Sequence, residues 1–268
     1  MTKLRGLPKY LFLTVFAVFS IFPLYFMAVS ATNSSADVLD SRLIPGTALF
    51  DNFSKLVAAQ NIGSAMWNSL SVAVGTTVLA LLVCSIAGYG FEVFHSRAKD
   101  AVMAVLLLAM MIPFAAIMVP LFQVFAEVGL VNSLAAVIIP AVSTPFLILL
   151  FRQASRSFPY EIIEAARIDG VSEFGIFARI YIPSMRSTYS AAAVITFMTA
   201  WNNFLWPKVI LVNNDFQTMP MLISNLSAGY VTDYGVLMLA VLLASLPTII
   251  FFMLLQRSFA NGITGAIK

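Results

Sequence analysis

Six runs of about twenty predominantly apolar residues divide this chain, at residues 10–30, 69–91, 101–122, 133–151, 188–206 and 235–255. A helix rising 1.5 Å per residue needs about that many to cross roughly 30 Å of hydrocarbon. Within a bilayer the backbone must satisfy its own N–H and C=O groups, so runs of this length read as membrane-spanning helices. The expected fold class is an all-α membrane protein with six transmembrane helices. It is expected to form a single domain over 1–268, with no internal repeat. Pro23, Pro113, Pro120, Pro140, Pro145 and Pro247 interrupt the runs, which predicts kinked helices packed where neighbours can satisfy the freed carbonyls.

Composition agrees, since 60% of the 268 residues are hydrophobic and 10% charged, against about 25% charged in a soluble domain. The net charge of +3 comes from short basic clusters beside the apolar runs, a pattern of membrane topology and not of a nucleic-acid-binding face. Of the 15 Lys and Arg, only Arg42, Lys55 and Lys208 fall in connectors on one side, and the rest fall on the other. Basic connectors stay in the cytoplasm, so both termini and the segment between the fourth and fifth runs are expected there. The first run follows Lys3, Arg5 and Lys9 and exceeds the roughly 7–15 residues of a signal-peptide core, so it reads as an uncleaved span.

Several activities lack their residues. No Asp, Glu, Lys, Arg or His occupies the core of a run, which weakens a proton-coupled secondary carrier; a sodium site made of carbonyls and hydroxyls stays open. No G-x-x-x-x-G-K-S/T loop is present, so any ATP use belongs to another polypeptide. Neither H-E-x-x-H nor G-x-S-x-G occurs, and no catalytic residue or metal ligand is expected. Cys84 lies inside a run and reads as a small hydrophobe, and His95 lies in a charged connector without partners at metal-ligand spacing.

The segment from Arg152 to Arg186 is a charged island between two apolar runs. Pro159 suits a first helical turn, Glu161 and Glu164 favour the positive N-terminal end, and Gly170 can take the left-handed conformation that stops a helix. Ser172 caps a second helix that Pro183 is expected to end. Ile162, Ala165, Ala166 and Ile168 form a partial apolar stripe on the first helix, and Phe174, Phe177, Ala178 and Tyr181 recur at helical spacing on the second. Such a pair fits a groove on another protein or lies on lipid headgroups.

Glu164-Ala165-Ala166, Gly170, Ile180 and Pro183 resemble the EAA loop of ABC-importer permeases, E-A-A-x3-G-x9-I-x-L-P, with Ile182 where leucine is usual. The extended E-A-A-R-I-D-G, Met111-Ile112-Pro113, Gly129 to Asn132, Phe158-Pro159-Tyr160-Glu161, Trp201 to Phe204 with Pro207, and the tail from Gly262 are similar to the carbohydrate-uptake branch, in the manner of the second membrane subunit of the maltose importer. This resemblance implies the six-span type I importer permease fold in a bacterial or archaeal inner membrane. It further implies a second permease subunit, an ATPase dimer that binds the ATP and Mg, and an extracytoplasmic solute-binding protein as partners. Glu164, Ala165, Ala166, Asp169, Gly170, Phe174, Ile180 and Pro183 would then form the ATPase-coupling element. Residues 261–268 would reach the ATPase pair, and the loop 213–233 corresponds to one that reaches into the binding protein.

A polar solute crossing a helix bundle needs hydroxyl or amide partners and flat apolar faces. Trp201, Asn202, Asn203 and Trp206 offer both in one cluster, with Ser143, Thr144 and Gln123 as further lining candidates. The same cluster also suits interhelical bonds and an interfacial tryptophan belt.

Overall fold

A computed structural model describes the backbone of residues 7–229 and 231–265, and the side chains of residues 9–229 and 231–256. In chain order the helices are α1 (Leu7–Ser30), α2 (Ser35–Leu39), α3 (Leu49–Ala59), α4 (Ile62–Val93), α5 (Arg97–Ala109), α6 (Phe114–Glu127), α7 (Leu134–Ile138) and α8 (Pro145–Arg156). They continue with α9 (Tyr160–Ile168), α10 (Glu173–Ile176), α11 (Ile182–Ser184), α12 (Arg186–Trp201), α13 (Leu205–Ile210), α14 (Met219–Ser227) and α15 (Tyr234–Gly265). No strand occurs among the described residues.

Three helices are long and apolar enough to cross a membrane, over Lys9–Ser30, Ile62–Val93 and Tyr234–Gln256. Two bent pairs bring the number to five if each is one span: α5 with α6, bent by 102°, and Leu134–Ala141 with α8, bent by 44°. The prolines sort into two kinds. Pro23, Pro120 and Pro247 sit inside continuous helices, whereas Pro113 stands at the sharper bend with an extended ψ of 135°. Proline gives no N–H and drives the preceding residue out of helical geometry, so the run 101–122 is broken and not merely kinked. The run 188–206 is also shorter than expected. Its helix stops at Trp201 after 16 residues, with the Asn202 amide donating to the Met198 carbonyl at 2.8 Å, and α13 starts afresh at Leu205.

The contacts divide the chain into two compact units, Met1–Gly63 with Met219–Pro247, and Ser64–Thr218 with Thr248–Lys268. In the first, α1 is bare over most of its length, with Phe19 81% exposed, as befits a helix whose apolar surface faces lipid or another subunit. The stretch after it is built around two buried amides. Asn52 Nδ2 donates to the carbonyls of Ala31 (3.0 Å) and Asn33 (2.9 Å), and Asn33 Nδ2 donates to those of Arg42 (3.3 Å) and Ile44 (3.2 Å). Gly235 is needed beside them, because a Cβ there would lie 2.5 Å from the Asn33 carbonyl oxygen. Ser34 and Asp37 form a reciprocal cap on α2. The Ser34 hydrogen bond and then the Arg42 guanidinium, 3.0 Å away, hold the Asp37 carboxyl below its ordinary range.

The second unit is a helical core around α4, α8 and α12. Gly88 lets α4 meet α8 backbone to backbone, since a Cβ there would fall 2.6 Å from Phe151 Cβ and 2.8 Å from the Arg152 nitrogen. A Cβ at Gly75 would meet only the Ile138 side chain, 3.1 Å from its Cδ1. Cys84 is fully buried in this core and donates to the Val142 carbonyl at 3.4 Å.

Candidate functional site

The island folds as a tight helical hairpin. Pro159 is the residue before α9 and not within it, and its φ of −62° leads the chain into the first turn at Tyr160. Gly170 stops the chain with φ +76°, a left-handed geometry that strains residues bearing a Cβ. The Ser172 hydroxyl then accepts the Gly175 N–H at 3.2 Å and starts α10. Pro183 does not end the second arm as expected. A π turn over Phe177–Tyr181 precedes it, with the Ile182 N–H bonding five residues back to the Phe177 carbonyl, and helical geometry runs on through Ser184. That wider turn makes room for a ring that would otherwise press on the carbonyl four residues earlier.

One face of the hairpin packs on the rest of the second unit. Ile163, Ala166, Ile176, Phe177 and Tyr181 are buried with Tyr89 of α4 and Phe158. Tyr89 meets Phe177 and Tyr181 edge-on, with ring centroids 5.3 and 4.9 Å apart, while Phe177 and Tyr181 stack at 5.5 Å. Ser155 gives its proton to the Phe151 carbonyl, so the Tyr181 hydroxyl donates to Ser155 Oγ at 2.7 Å. Burial pushes the Tyr181 phenol above its ordinary pKa, which keeps it a donor.

The opposite face is open. Glu164, Ala165, Asp169, Gly170 and Pro183 are exposed, Ile180 is half-buried, and Ile168 and Phe174 are 86% and 75% exposed. Of the predicted coupling residues only Ala166 turns fully inward. Arg167 spans the two arms, donating from Nε to Glu173 at 2.6 Å and from Nη1 to the Tyr160 hydroxyl at 3.0 Å. The Glu173 bond and then the Tyr160 bond raise its pKa further, so it remains a cation.

The predicted path cluster divides. Trp206 is 1% exposed, donates from its indole to the Ala136 carbonyl at 2.8 Å, and meets Phe114 and Phe125 edge-on. Trp201 is 3% exposed and stacks on Phe197. Trp201 fills the interior, and Asn202 closes its own helix. Asn203 lines a cavity of about 240 Å³ with Thr144, and a second of about 310 Å³ that shares both residues and is also lined by Trp206. Gln123 and Ser143 are exposed. Of the loop residues, Asn213 to Asp215 are exposed, whereas Gln217 and Thr218 are buried. Asn68 Nδ2 donates to the carbonyls of Asp215 (2.9 Å) and Gln217 (3.1 Å) and holds this stretch against α4. The side chains of residues 261–268 lie outside the described ones.

An ionic cluster at the foot of α4 carries no sequence motif. Arg152, 4% exposed, donates to Glu92 at 3.1 Å and to Asp100 at 2.5 Å, and Arg156 and His95 bond the same two carboxylates from outside. Arg152 follows directly on the fourth apolar run, so its burial depends on where the 92–100 connector folds. Among the described residues no group of three or more His, Cys, Asp or Glu is placed to hold a metal.

An all-helical chain with three to five apolar spans and a charged helical hairpin between two of its apolar runs is the class that this architecture defines. The fold matches a chain in the crystal structure of a bacterial ABC transporter involved in the import of the acidic polysaccharide alginate, with TM-score 0.83 over 96% of this chain and 97% of that one, at 19% identity. Residues 80–265 match the family model of the binding-protein-dependent transport system inner membrane component, and the chain belongs to that family. It is 43% identical, over 99% of its length and 97% of the relative's, to the lactose transport system permease protein LacG of Rhizobium radiobacter. It is 32% identical to the arabinooligosaccharides transport system permease protein AraQ of Bacillus subtilis, over 96% and 94% of the two chains. The sn-glycerol-3-phosphate transport system permease protein UgpE of Salmonella typhi is 30% identical over 92% of each. These relatives are transport subunits and not enzymes.

Proposed function

We propose that this chain is one of two permease subunits of an ATP-driven carbohydrate importer, a single six-span domain with both termini in the cytoplasm. The hairpin around 152–187 is its coupling element. Glu164, Ala165, Asp169, Gly170 and Phe174, with Ile168, present a mixed acidic and apolar surface to a cytoplasmic ATPase dimer, which holds ATP and Mg. Ile180 and Pro183 shape the second arm behind that surface. The carrying observation is the hairpin's two-sidedness: its outer face is exposed, while its inner aromatics clasp Tyr89 of a spanning helix. A rigid clasp of that kind passes movement of the outer face to α4, and so to the bundle. Closure of the ATPase pair would switch the path between its two accessible states, with a solute-binding protein delivering cargo outside. A neutral sugar is favoured over a phosphorylated polyol by the greater identity to the lactose permease protein than to the glycerol-phosphate one.

The test is affinity purification of the tagged chain from membranes, with mass spectrometry and an ATPase assay. Wild type is expected to bring down an ATPase and a second permease. Gly170→Pro and Glu164→Ala are expected to lose or uncouple the ATPase without loss of the second permease. Recovery of the lone chain from intact membranes, or normal coupled uptake in both variants, would refute the assignment.

A further inference from the structure

The connector between α1 and α4 carries a helix, α3, with three different sides. At about 100° per residue, Phe50, Phe53 and Val57 fall within about 60° of one another, and all three are exposed, Phe50 by 84%. Asp51 and Lys55 lie on a second side, about 150° away on the same geometry, and pair at 2.8 Å. Lys55 also reaches Asp233 at 3.6 Å, and all three charged groups stay open to solvent. The third side holds Asn52 and Leu56, both buried. Asn52 donates to the carbonyls of Ala31 and Asn33, and the Ala48 N–H donates to the Thr32 carbonyl at 2.9 Å. These bonds hold α3 against the C-terminal end of α1 and fix its rotation, so Phe50 and Phe53 cannot turn inward.

Tyr25 sets the height of this connector against the bilayer. It lies inside the spanning stretch Lys9–Ser30, five residues before the end of α1. Its ring is exposed, and its hydroxyl donates to the Leu43 carbonyl at 2.8 Å. Tyrosine at the end of a span anchors at headgroup level, with its ring toward the acyl chains and its hydroxyl toward the polar layer. The chain at Leu43 and Ile44 thus folds back beside α1 to that level, and both side chains are exposed there, Ile44 by 67%. A helix at this height with an apolar side, a charged side and a side packed on its own protein has the pattern of one lying in the interface plane at the protein's edge.

We infer that residues 43–57 form an interfacial anchor whose apolar face is covered by phospholipid. Ile44, Phe50, Phe53 and Val57 enter the boundary between headgroups and acyl chains, and the Asp51–Lys55 pair stays in water. Interfacial helices bury their apolar face about 5–10 Å into that boundary. The anchor requires α1 to cross the membrane. It depends neither on the importer reading nor on which side the termini lie.

The test uses the full chain, with the subunits that copurify with it, in phospholipid vesicles. In a Cys84→Ala background, Ile44→Cys, Phe50→Cys, Phe53→Cys and Lys55→Cys are each labelled with an environment-sensitive fluorophore. Quenching by lipids brominated near the headgroup is compared with quenching by aqueous iodide. Lipid quenching is expected to exceed iodide quenching about threefold or more at Ile44, Phe50 and Phe53, and the ratio should invert at Lys55. Iodide quenching at Phe50 and Phe53 as strong as at Lys55 would place the face in water and overturn the anchor. Quenching by neither agent would show the face covered by another subunit or a second copy, and would overturn it too. A second measurement needs no variant: a phospholipid with a diazirine near its headgroup, photolysed with the unaltered chain, should mark peptides from 43–57. Label on α1 but none on 43–57 would overturn the anchor. None of these outcomes turns on recovery of an ATPase, so the anchor and the importer reading fail separately.

Discussion

Arg152 shows how a single residue's role is decided by its neighbours. A guanidinium at the end of an apolar run is ordinarily a topology marker at the membrane edge. Here it is almost completely buried and neutralised by Glu92 and Asp100, which lie 60 and 52 residues earlier in the chain. Its removal would leave two carboxylates facing each other with only the outer partners Arg156 and His95. Arg152→Ala is expected to destabilise the protein by about 2–3 kcal/mol, below the upper range for a broken buried pair because both carboxylates retain solvent access. Thermal unfolding of the detergent-solubilised protein reads this as a fall of several degrees. An unchanged melting temperature would mean that Glu92 and Asp100 are satisfied without it. Trp206 is a second case: it borders the cavity of about 310 Å³, while its indole proton is committed to the Ala136 carbonyl.

Among the elements, the α4–α8 contact and the hairpin hold the second unit together. Gly88 permits that contact, whereas a Cβ at Gly90, two residues on, would meet nothing within 4 Å. Gly88→Ala is therefore expected to cost about 1–3 kcal/mol through overpacking against backbone atoms. Gly90→Ala should be neutral or stabilising by about 0.5–1 kcal/mol, since alanine loses less backbone entropy in a helix. Comparative melting of the two variants distinguishes them, and equal effects would contradict the close helix approach. The hairpin is largely legible from sequence, because glycine at a left-handed turn and serine at a cap act through local backbone chemistry. Its π turn is not, since a proline can end a helix or be accommodated by a wider turn, and the choice lies in how the second arm packs.

For the molecule as a whole, the proposed topology makes a direct prediction. In intact cells a cysteine introduced at Ser172 should resist an impermeant thiol reagent applied outside, while one at Asn214 should react; both positions are exposed. Labelling at Ser172 from outside would invert the proposed orientation. The all-helical membrane class and the place of the hairpin can be read from residue order alone, because apolar run length and cap residues act locally. How many runs stay unbroken cannot, since Pro113 and Asn202 decide that through bends and caps. Nor can the path be told from the core. Trp201, Asn202, Asn203 and Trp206 are neighbours along the chain, yet tertiary packing buries Trp201, turns Asn202 back on its own helix and leaves Asn203 and Trp206 beside one cavity with Thr144. Side-chain chemistry is written residue by residue, but which groups are left without partners depends on every helix that packs around them.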